Sequence, residues 1–110
     1  MPDYVVLMTL QQKGKKDLFD ASAFVAQMVD TWRQNCGPVA AFRMTMGEFD
    51  FVLFGEAATE SAAAEYALYV SEQGRVKTVT MRAFRLEEME DLVTEAARFG
   101  PRGVVEPPTS

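Results

Sequence analysis

The strongest constraint on the fold is a segment in the middle of the chain, VAAFRMTMGEFDFVLFGE at residues 39–56. It contains two apolar runs separated by Gly47 and Glu48. Both runs are rich in residues that are typical of β-strands. A two-residue loop with glycine in its first position is typical of a type II′ hairpin, which requires a positive φ at Gly47. The segment therefore predicts two antiparallel strands whose register is set by the loop.

A strand and a helix are predicted before the hairpin. Residues 3–10, DYVVLMTL, have the β-branched and apolar content of a strand. Residues 17–36 are predicted to form a helix, with Asp20 or Ser22 as its cap, because large apolar side chains recur at four-residue intervals. These side chains are Phe24, Met28 and Trp32.

The same two kinds of element are predicted after the hairpin. Thr59 is a suitable N-cap for a helix over residues 60–73, and the alternating segment at 75–84 predicts a last strand. A third helix is predicted over residues 86–98. The Pro- and Gly-rich residues 99–110 are predicted to form a mobile tail.

The order strand, helix, strand, strand, helix, strand indicates an α+β fold of the ferredoxin-like, split βαβ type, followed by a C-terminal helix. Such a fold has one four-stranded sheet with both main helices on one face. A length of 110 residues favours a single domain. We place that domain at residues 1–98.

Composition excludes several classes of function. The net charge of −5 argues against nucleic-acid binding, although the basic cluster KGKK lies at residues 13–16. No apolar run approaches the length of a membrane span, so we expect a cytoplasmic protein without membrane contact. The chain has no histidine, which excludes Ser-His-Asp and Cys-His catalysis and the common histidine-rich zinc sites. We predict no cofactor and no metal, and we interpret Cys36 as a packing residue.

The hairpin register separates two sheet faces. It pairs Thr45 with Asp50 and Arg43 with Val52, and side chains directly opposite each other share a face. The face predicted to lie under the helices carries Phe42, Met44, Met46, Phe49, Phe51 and Leu53. The opposite face carries Arg43, Thr45, Asp50, Val52 and Phe54.

The outer strands extend this assignment. In the last strand, Val79, Met81 and Ala83 are predicted to face the core, which turns Thr78, Thr80 and Arg82 outward. In the first strand, Val5, Leu7 and Thr9 are predicted to point outward.

A polar patch on the outward face is thus predicted to consist of Arg43, Thr45, Asp50 and Arg82. Guanidinium groups suit carboxylate or phosphate ligands, so this patch is a candidate binding site for a small anion. The alternative is structural, with Asp50 held by Arg43 or Thr45. Val52 and Phe54 make the same face too apolar to remain in water, and we predict that it forms the interface of a homodimer.

The phrases YVVLMTL, TMGEFDFVLFGEA, AAAE and GRVKTVTMRAF, in this order, resemble the GYD domain family of the dimeric α/β-barrel superfamily. Gly47, Glu48, Phe49 and Asp50 occupy the position of its Gly-x-Tyr-Asp motif, with Phe49 in place of the tyrosine. The resemblance implies a homodimer in which two sheets pack face to face.

Three functions stay open at this point. The GEFDF phrase is also similar to the effector-binding domain of leucine-responsive-type regulators, which implies binding of a small ligand. Other superfamily members are cofactor-free monooxygenases and lactone isomerases, which implies an enzyme. The third hypothesis is a protein-interaction module without a ligand.

Overall fold

The computed structural model describes residues 1–11 and 21–100 of the chain. The strands in this part are β1 (Asp3–Leu10), β2 (Val39–Met44), β3 (Phe51–Glu56) and β4 (Val76–Ala83). The helices are α1 (Ala21–Asn35), α2 (Glu60–Glu72) and α3 (Leu86–Ala96), and a short 3-10 turn follows at Ala97–Phe99. The predicted cap Asp20 and the basic cluster at residues 13–16 lie outside the described residues, as do residues 101–110 of the predicted tail at 99–110. The alternative cap, Ser22, lies within α1 and not before it.

The strands form one antiparallel sheet in the order β2-β3-β1-β4. Residues of α1 and α2 are buried together with alternate residues of β1 and β3, so both helices cover the same face of the sheet. The predicted α+β, ferredoxin-like fold is therefore confirmed. No helix in the described part of the chain is long and apolar enough to cross a membrane.

Trp32 is the centre of the core. Its side chain is fully buried, and its indole N–H donates to the backbone oxygen of Glu56 at 3.0 Å. The ring also meets Tyr66 edge-on at a centroid distance of 5.0 Å. Gly55 lies beneath the indole, where a Cβ atom would come within 2.5 Å of the ring nitrogen. This position must therefore lack a side chain for α1 to lie as close to β3 as it does.

Helix α2 is fixed at its start and in its middle. The Thr59 hydroxyl accepts a hydrogen bond from the Ala62 N–H at 3.1 Å, so Thr59 is the N-cap that the sequence predicts. The Tyr66 hydroxyl donates to the backbone oxygen of Met28 at 3.1 Å, which ties α2 to α1. Burial raises the pKa of this phenol, so the hydroxyl stays a hydrogen-bond donor at neutral pH.

The hairpin register is confirmed along the strands, where Phe42 pairs with Leu53 and Met44 with Phe51. The predicted length of the hairpin loop, two residues, is wrong. Strand pairing ends at Met44 and Phe51, and the Thr45 hydroxyl donates to the backbone oxygen of Phe49 at 2.6 Å. The connection therefore spans residues 45–50. Gly47 has a φ of 112°, which confirms the predicted positive φ.

The core face of the hairpin is confirmed only in part. Phe51 and Leu53 are buried, and Phe42 stacks on Phe51 at a centroid distance of 5.7 Å. Met44 and Met46 were predicted to lie under the helices, but they are 77% and 94% exposed. Both methionines lie at the hairpin end, beyond the buried part of the sheet.

Candidate functional site

The surface with the clearest functional potential is the sheet face opposite α1 and α2, here called the open sheet face. Residues directly opposite each other on antiparallel strands share a face, so the pairing defines its members. One row across the sheet consists of Phe54, Val5 and Met81, and the next consists of Val52, Leu7 and Val79. The predicted outward orientation of Val5 and Leu7 is confirmed, because Tyr4, Val6, Met8 and Leu10 are the buried residues of β1.

The open sheet face is apolar and accessible. Phe54, Val79 and Met81 are 41%, 47% and 43% exposed, whereas Val52 is buried among its neighbours. Charged side chains occur at the two edges of this face. Arg43 of β2 pairs with Val52 of β3, and Lys77 lies on β4. The face thus has an apolar centre and a charged rim.

The four residues of the predicted polar patch do not form one cluster: a backbone hydrogen bond joins Thr45 to Asp50, whereas Arg82 lies on the other face of the sheet. Arg43 is exposed on the edge strand, and its guanidinium donates to the backbone oxygen of the neighbouring Phe42 at 2.9 Å. Within the described part of the chain it forms no ion pair with Asp50. A role of Arg43, Thr45, Asp50 and Arg82 in ligand binding stays a prediction.

Asp50 has a structural position at the end of the β1–β3 pairing. Its N–H donates to the backbone oxygen of Met8 at 2.8 Å, and its carboxylate accepts the Leu10 N–H at 2.7 Å. Its backbone oxygen also accepts the Thr45 N–H at 2.8 Å. Asp50 therefore links three chain segments where regular strand pairing stops, and this geometry explains a carboxylate between apolar residues.

The two faces of β4 are the reverse of those predicted. Thr80 lies opposite Val6 and Arg82 opposite Tyr4, so both belong to the helix side, whereas Val79 and Met81 belong to the open sheet face. Hydrophobicity identified the apolar side of β4 correctly. The prediction failed because it assumed that the apolar side of an edge strand must be the one beneath the helices.

Arg82 lies in a charged cluster at the end of the sheet. Its guanidinium stacks over the Phe84 ring at 4.3 Å, and it donates to the backbone oxygens of Asp3 and Ala83. It also forms an ion pair with Glu88 at 3.5 Å. These contacts occupy the group that the sequence assigned to an anionic ligand.

Arg85 completes this cluster, and sequence reasoning missed it. Its guanidinium holds both carboxylate oxygens of Asp3, at 2.7 and 3.1 Å, and lies 3.8 Å from Glu56. The Arg85 N–H donates to the Glu88 carboxylate at 2.9 Å, which lowers the pKa of Glu88. The hydrogen bond to Asp3 raises the pKa of Arg85. The sequence signal that could have indicated this hydrogen bond is the three-residue spacing of Arg85 and Glu88 at the start of a helix.

A concave surface lies on the other side of the protein, between α1 and α2. This open groove has a volume of about 900 Å³ and is lined mainly by small and polar side chains. Its lining includes the carboxylates of Asp30 and Glu65 and the rings of Tyr66 and Tyr69. Among the described residues, no lysine or arginine lines it.

Cys36 lies at the end of α1 and is buried. Desolvation, and then the negative charge of Glu65, raises the pKa of its thiol. The thiol donates to the Ala62 backbone oxygen at 3.4 Å. Because the thiolate is the reactive form, these surroundings suit packing and not nucleophilic chemistry. The described residues also contain no cluster of Cys, Asp and Glu side chains that could hold a metal ion.

These features define a class of protein, a small ferredoxin-like domain with one sheet face covered by helices and one face open. The chain matches the GYD domain over residues 4–93 and belongs to that family, as the resemblance of its motifs implied. It is 28% identical over 90 residues to the "Glutamine synthetase and cystathionine beta-lyase binding protein" of Thermus thermophilus. That alignment covers 81% of this chain and 95% of the relative.

A solved structure supports the fold. The chain described as "crystal structure of FFRP-DM1" superposes with a TM-score of 0.53 at 17% sequence identity, over 76% of this chain and 100% of that chain. Identity at this level shows a shared ferredoxin-like architecture and nothing about function.

Proposed function

We propose that this protein is a homodimeric binding protein, in which two copies associate through the open sheet face and the outward helices bind another protein. The observation that carries the proposal is the exposure of Phe54, Val79 and Met81, at 41%, 47% and 43%, on one contiguous apolar surface. Exposed apolar surface of this kind is typical of an interaction site. A two-fold axis allows such a surface to be covered by its own copy.

The distribution of charge on the open sheet face supports this arrangement. Protein interfaces combine a desolvated apolar centre with a polar rim. Here the central strands β1 and β3 contribute Val5, Leu7 and Phe54, whereas Arg43 and Lys77 lie on the edge strands. Two copies could therefore bury the centre and leave these charges in water.

Sedimentation velocity at micromolar concentrations tests the dimer. We expect the wild-type chain to sediment as a dimer and Phe54→Asp as a monomer, because the new carboxylate would be buried without a partner. Leu68→Asp is the matched control, since Leu68 is 72% exposed on α2, away from the open sheet face. A monomeric wild-type chain, or a Phe54→Asp variant as dimeric as the control, would contradict the proposal.

The other protein would bind to the surface formed by α1 and α2. In a sheet-to-sheet dimer α1 and α2 remain outside, and their groove presents the carboxylates of Asp30 and Glu65. The relative is named as a binding protein for glutamine synthetase and cystathionine beta-lyase, and its alignment covers most of both chains. These two enzymes, taken from the source organism of this chain, are therefore the first candidates to test.

Biolayer interferometry with each purified enzyme tests this step. We expect binding by the wild-type chain, and a loss of at least about tenfold in affinity for Glu65→Lys, which reverses a charge in the groove. Glu72→Lys is the matched control on the same helix, because Glu72 is exposed and lies outside the groove lining. Equal binding by the two variants would exclude the groove as the binding site. If the wild-type chain binds neither enzyme, both enzymes would be excluded as partners.

A small anion at Arg43, Thr45 and Asp50 is less well supported. The Arg82 guanidinium is occupied on the helix side of the sheet, and the Asp50 carboxylate already accepts the Leu10 N–H. A thermal-shift screen with acidic metabolites checks this alternative directly. Stabilisation that is lost in Arg43→Gln would restore the ligand hypothesis.

A further inference from the structure

Helix α3 carries an apolar stripe that the described part of its own chain leaves uncovered. Leu86, Met89, Leu92 and Val93 are 63%, 48%, 49% and 64% exposed, and none of the residues of α3 is buried. Their spacing of three and four residues places them on one side of the helix. The remaining positions are mostly acidic, namely Glu87, Glu88, Glu90, Asp91 and Glu95.

Among the described residues, the hydrogen bonds and ion pairs that join α3 to the sheet are all at its start. The Glu88 carboxylate accepts the Arg85 N–H, and Arg85 binds Asp3 on β1. An isolated helix as short as these 11 residues is marginal in water, because most helical stability in proteins comes from packing of an apolar side. The apolar stripe of α3 therefore requires a packing partner.

The position of α3 favours a second copy of this chain as that partner. The helix follows β4 after the two residues Phe84 and Arg85, and β4 contributes Val79 and Met81 to the open sheet face. Asp3, which Arg85 binds, lies two residues before Val5 on β1 and therefore on the same outward face. The apolar stripe thus begins at the edge of the surface on which the second copy is proposed to lie.

The charges on α3 argue against a lipid surface. A helix that lies in a membrane interface is rich in Lys and Arg on its polar side. The polar side of α3 is acidic, and the chain carries a net charge of −5, so anionic lipids would repel it.

We propose that α3 is an interchain arm: in the homodimer, the stripe of Leu86, Met89, Leu92 and Val93 packs on the partner copy beside the open sheet face. This inference rests on the proposed dimer and extends it. By two-fold symmetry the α3 of each copy packs on the other copy. A single association therefore covers both the open sheet face and the apolar stripe of α3.

Two matched variants test the arm through the affinity of self-association. Val93→Asp places a charge in the stripe, whereas Thr94→Asp places the same charge at the next position of the helix, outside the stripe. We expect Val93→Asp to raise the dimer dissociation constant by at least about tenfold and Thr94→Asp to change it less than about twofold. Circular dichroism of both variants checks that the domain remains folded.

Crosslinking locates the contact. A photoreactive amino acid at Met89, in a mixture of isotopically labelled and unlabelled chains, should form crosslinks between copies, whereas the same probe at Leu68 should not. A wild-type dimer in which the Met89 probe forms no interchain crosslink and Val93→Asp associates like Thr94→Asp would overturn the arm and leave the sheet-to-sheet dimer intact. A monomeric wild-type chain would overturn both.

Discussion

The contact between Trp32 and Gly55 determines how closely α1 approaches the sheet. The indole is fully buried and bonded to the backbone oxygen of Glu56, so the ring cannot move without losing this hydrogen bond. The absence of a side chain at position 55 provides the space for it. Gly55 is therefore a packing requirement of the core and not a turn residue.

Gly55→Ala should destabilise the protein by about 1–3 kcal/mol, because the new methyl group would lie 2.5 Å from the Trp32 ring nitrogen and 2.7 Å from Cε2. Urea unfolding monitored by circular dichroism measures the loss. In a Trp32→Phe background the smaller ring leaves room, so the same substitution should cost less. Equal costs in the two backgrounds would show that the indole is not the source of the strain.

Asp50 has a comparable role at the end of the β1–β3 pairing. Asp50→Ala should lower the free energy of unfolding by about 1.5–3 kcal/mol, because the partly buried Leu10 N–H loses its 2.7 Å carboxylate partner. Asp50→Asn keeps an acceptor oxygen and should lose less. Glu48→Ala, at the exposed hairpin loop, should change stability by no more than about 0.5 kcal/mol. Similar losses in Asp50→Ala and Glu48→Ala would refute the linking role.

Among the strands, sequence reasoning predicted the bounds of β1 from its β-branched and apolar content. It predicted the hairpin register from Gly47 and the flanking apolar residues. The faces of β4 did not follow, because both sides of this sheet carry apolar side chains. Only the observed pairing of Thr80 with Val6 decides which side lies beneath the helices.

Two ion pairs of the charged cluster, Asp3–Arg85 and Arg82–Glu88, were beyond sequence reasoning for a related reason. Asp3 and Arg85 are separated by 82 positions in the chain and meet only because β1 and β4 are neighbours in the sheet. Arg82 reaches Glu88 because β4 ends where α3 begins. A predicted strand order would have suggested the first pair, but the wrong face of β4 would still have misplaced Arg82.

The start of α3 is expected to depend on pH through Glu88. The Arg85 N–H, and then Arg82, lower the pKa of Glu88 below its ordinary value of 4.5. A carboxyl group with a lowered folded-state pKa contributes stability above its unfolded-state pKa, and the contribution is lost as the pH falls through the folded-state pKa. We therefore expect the first turn of α3 to loosen under acid conditions.

An NMR titration of the Glu88 side-chain carboxyl carbon measures this pKa directly. Its midpoint should lie below 4.5 in the wild-type chain. In Arg82→Gln the midpoint should rise, because the ion pair at 3.5 Å is removed. A midpoint at or above 4.5 in the wild-type chain would contradict the hydrogen-bonded cap.

The folded chain as a unit has two unequal sides. Its helix-covered side contains the core, with Trp32, Leu53 and Met8 fully buried, whereas its open sheet face and α3 expose large apolar side chains. A domain of this size has limited surface to bury within one copy. Association with a second copy would extend the same hydrophobic stabilisation to the uncovered side, so folding and dimer formation should be linked.

That linkage predicts a stability that depends on protein concentration. If a native dimer unfolds to two separate chains, each tenfold rise in concentration adds about 1.4 kcal/mol to the apparent free energy of unfolding per dimer. Urea unfolding can be followed by the fluorescence of Trp32, since the chain has one tryptophan. The midpoint should rise with concentration in the wild-type chain and in Leu68→Asp, and it should be constant in Phe54→Asp. A wild-type midpoint that does not change over a hundredfold range, about two tenfold steps, would mean that the monomer is the folding unit, and the exposed apolar side would then require a different partner.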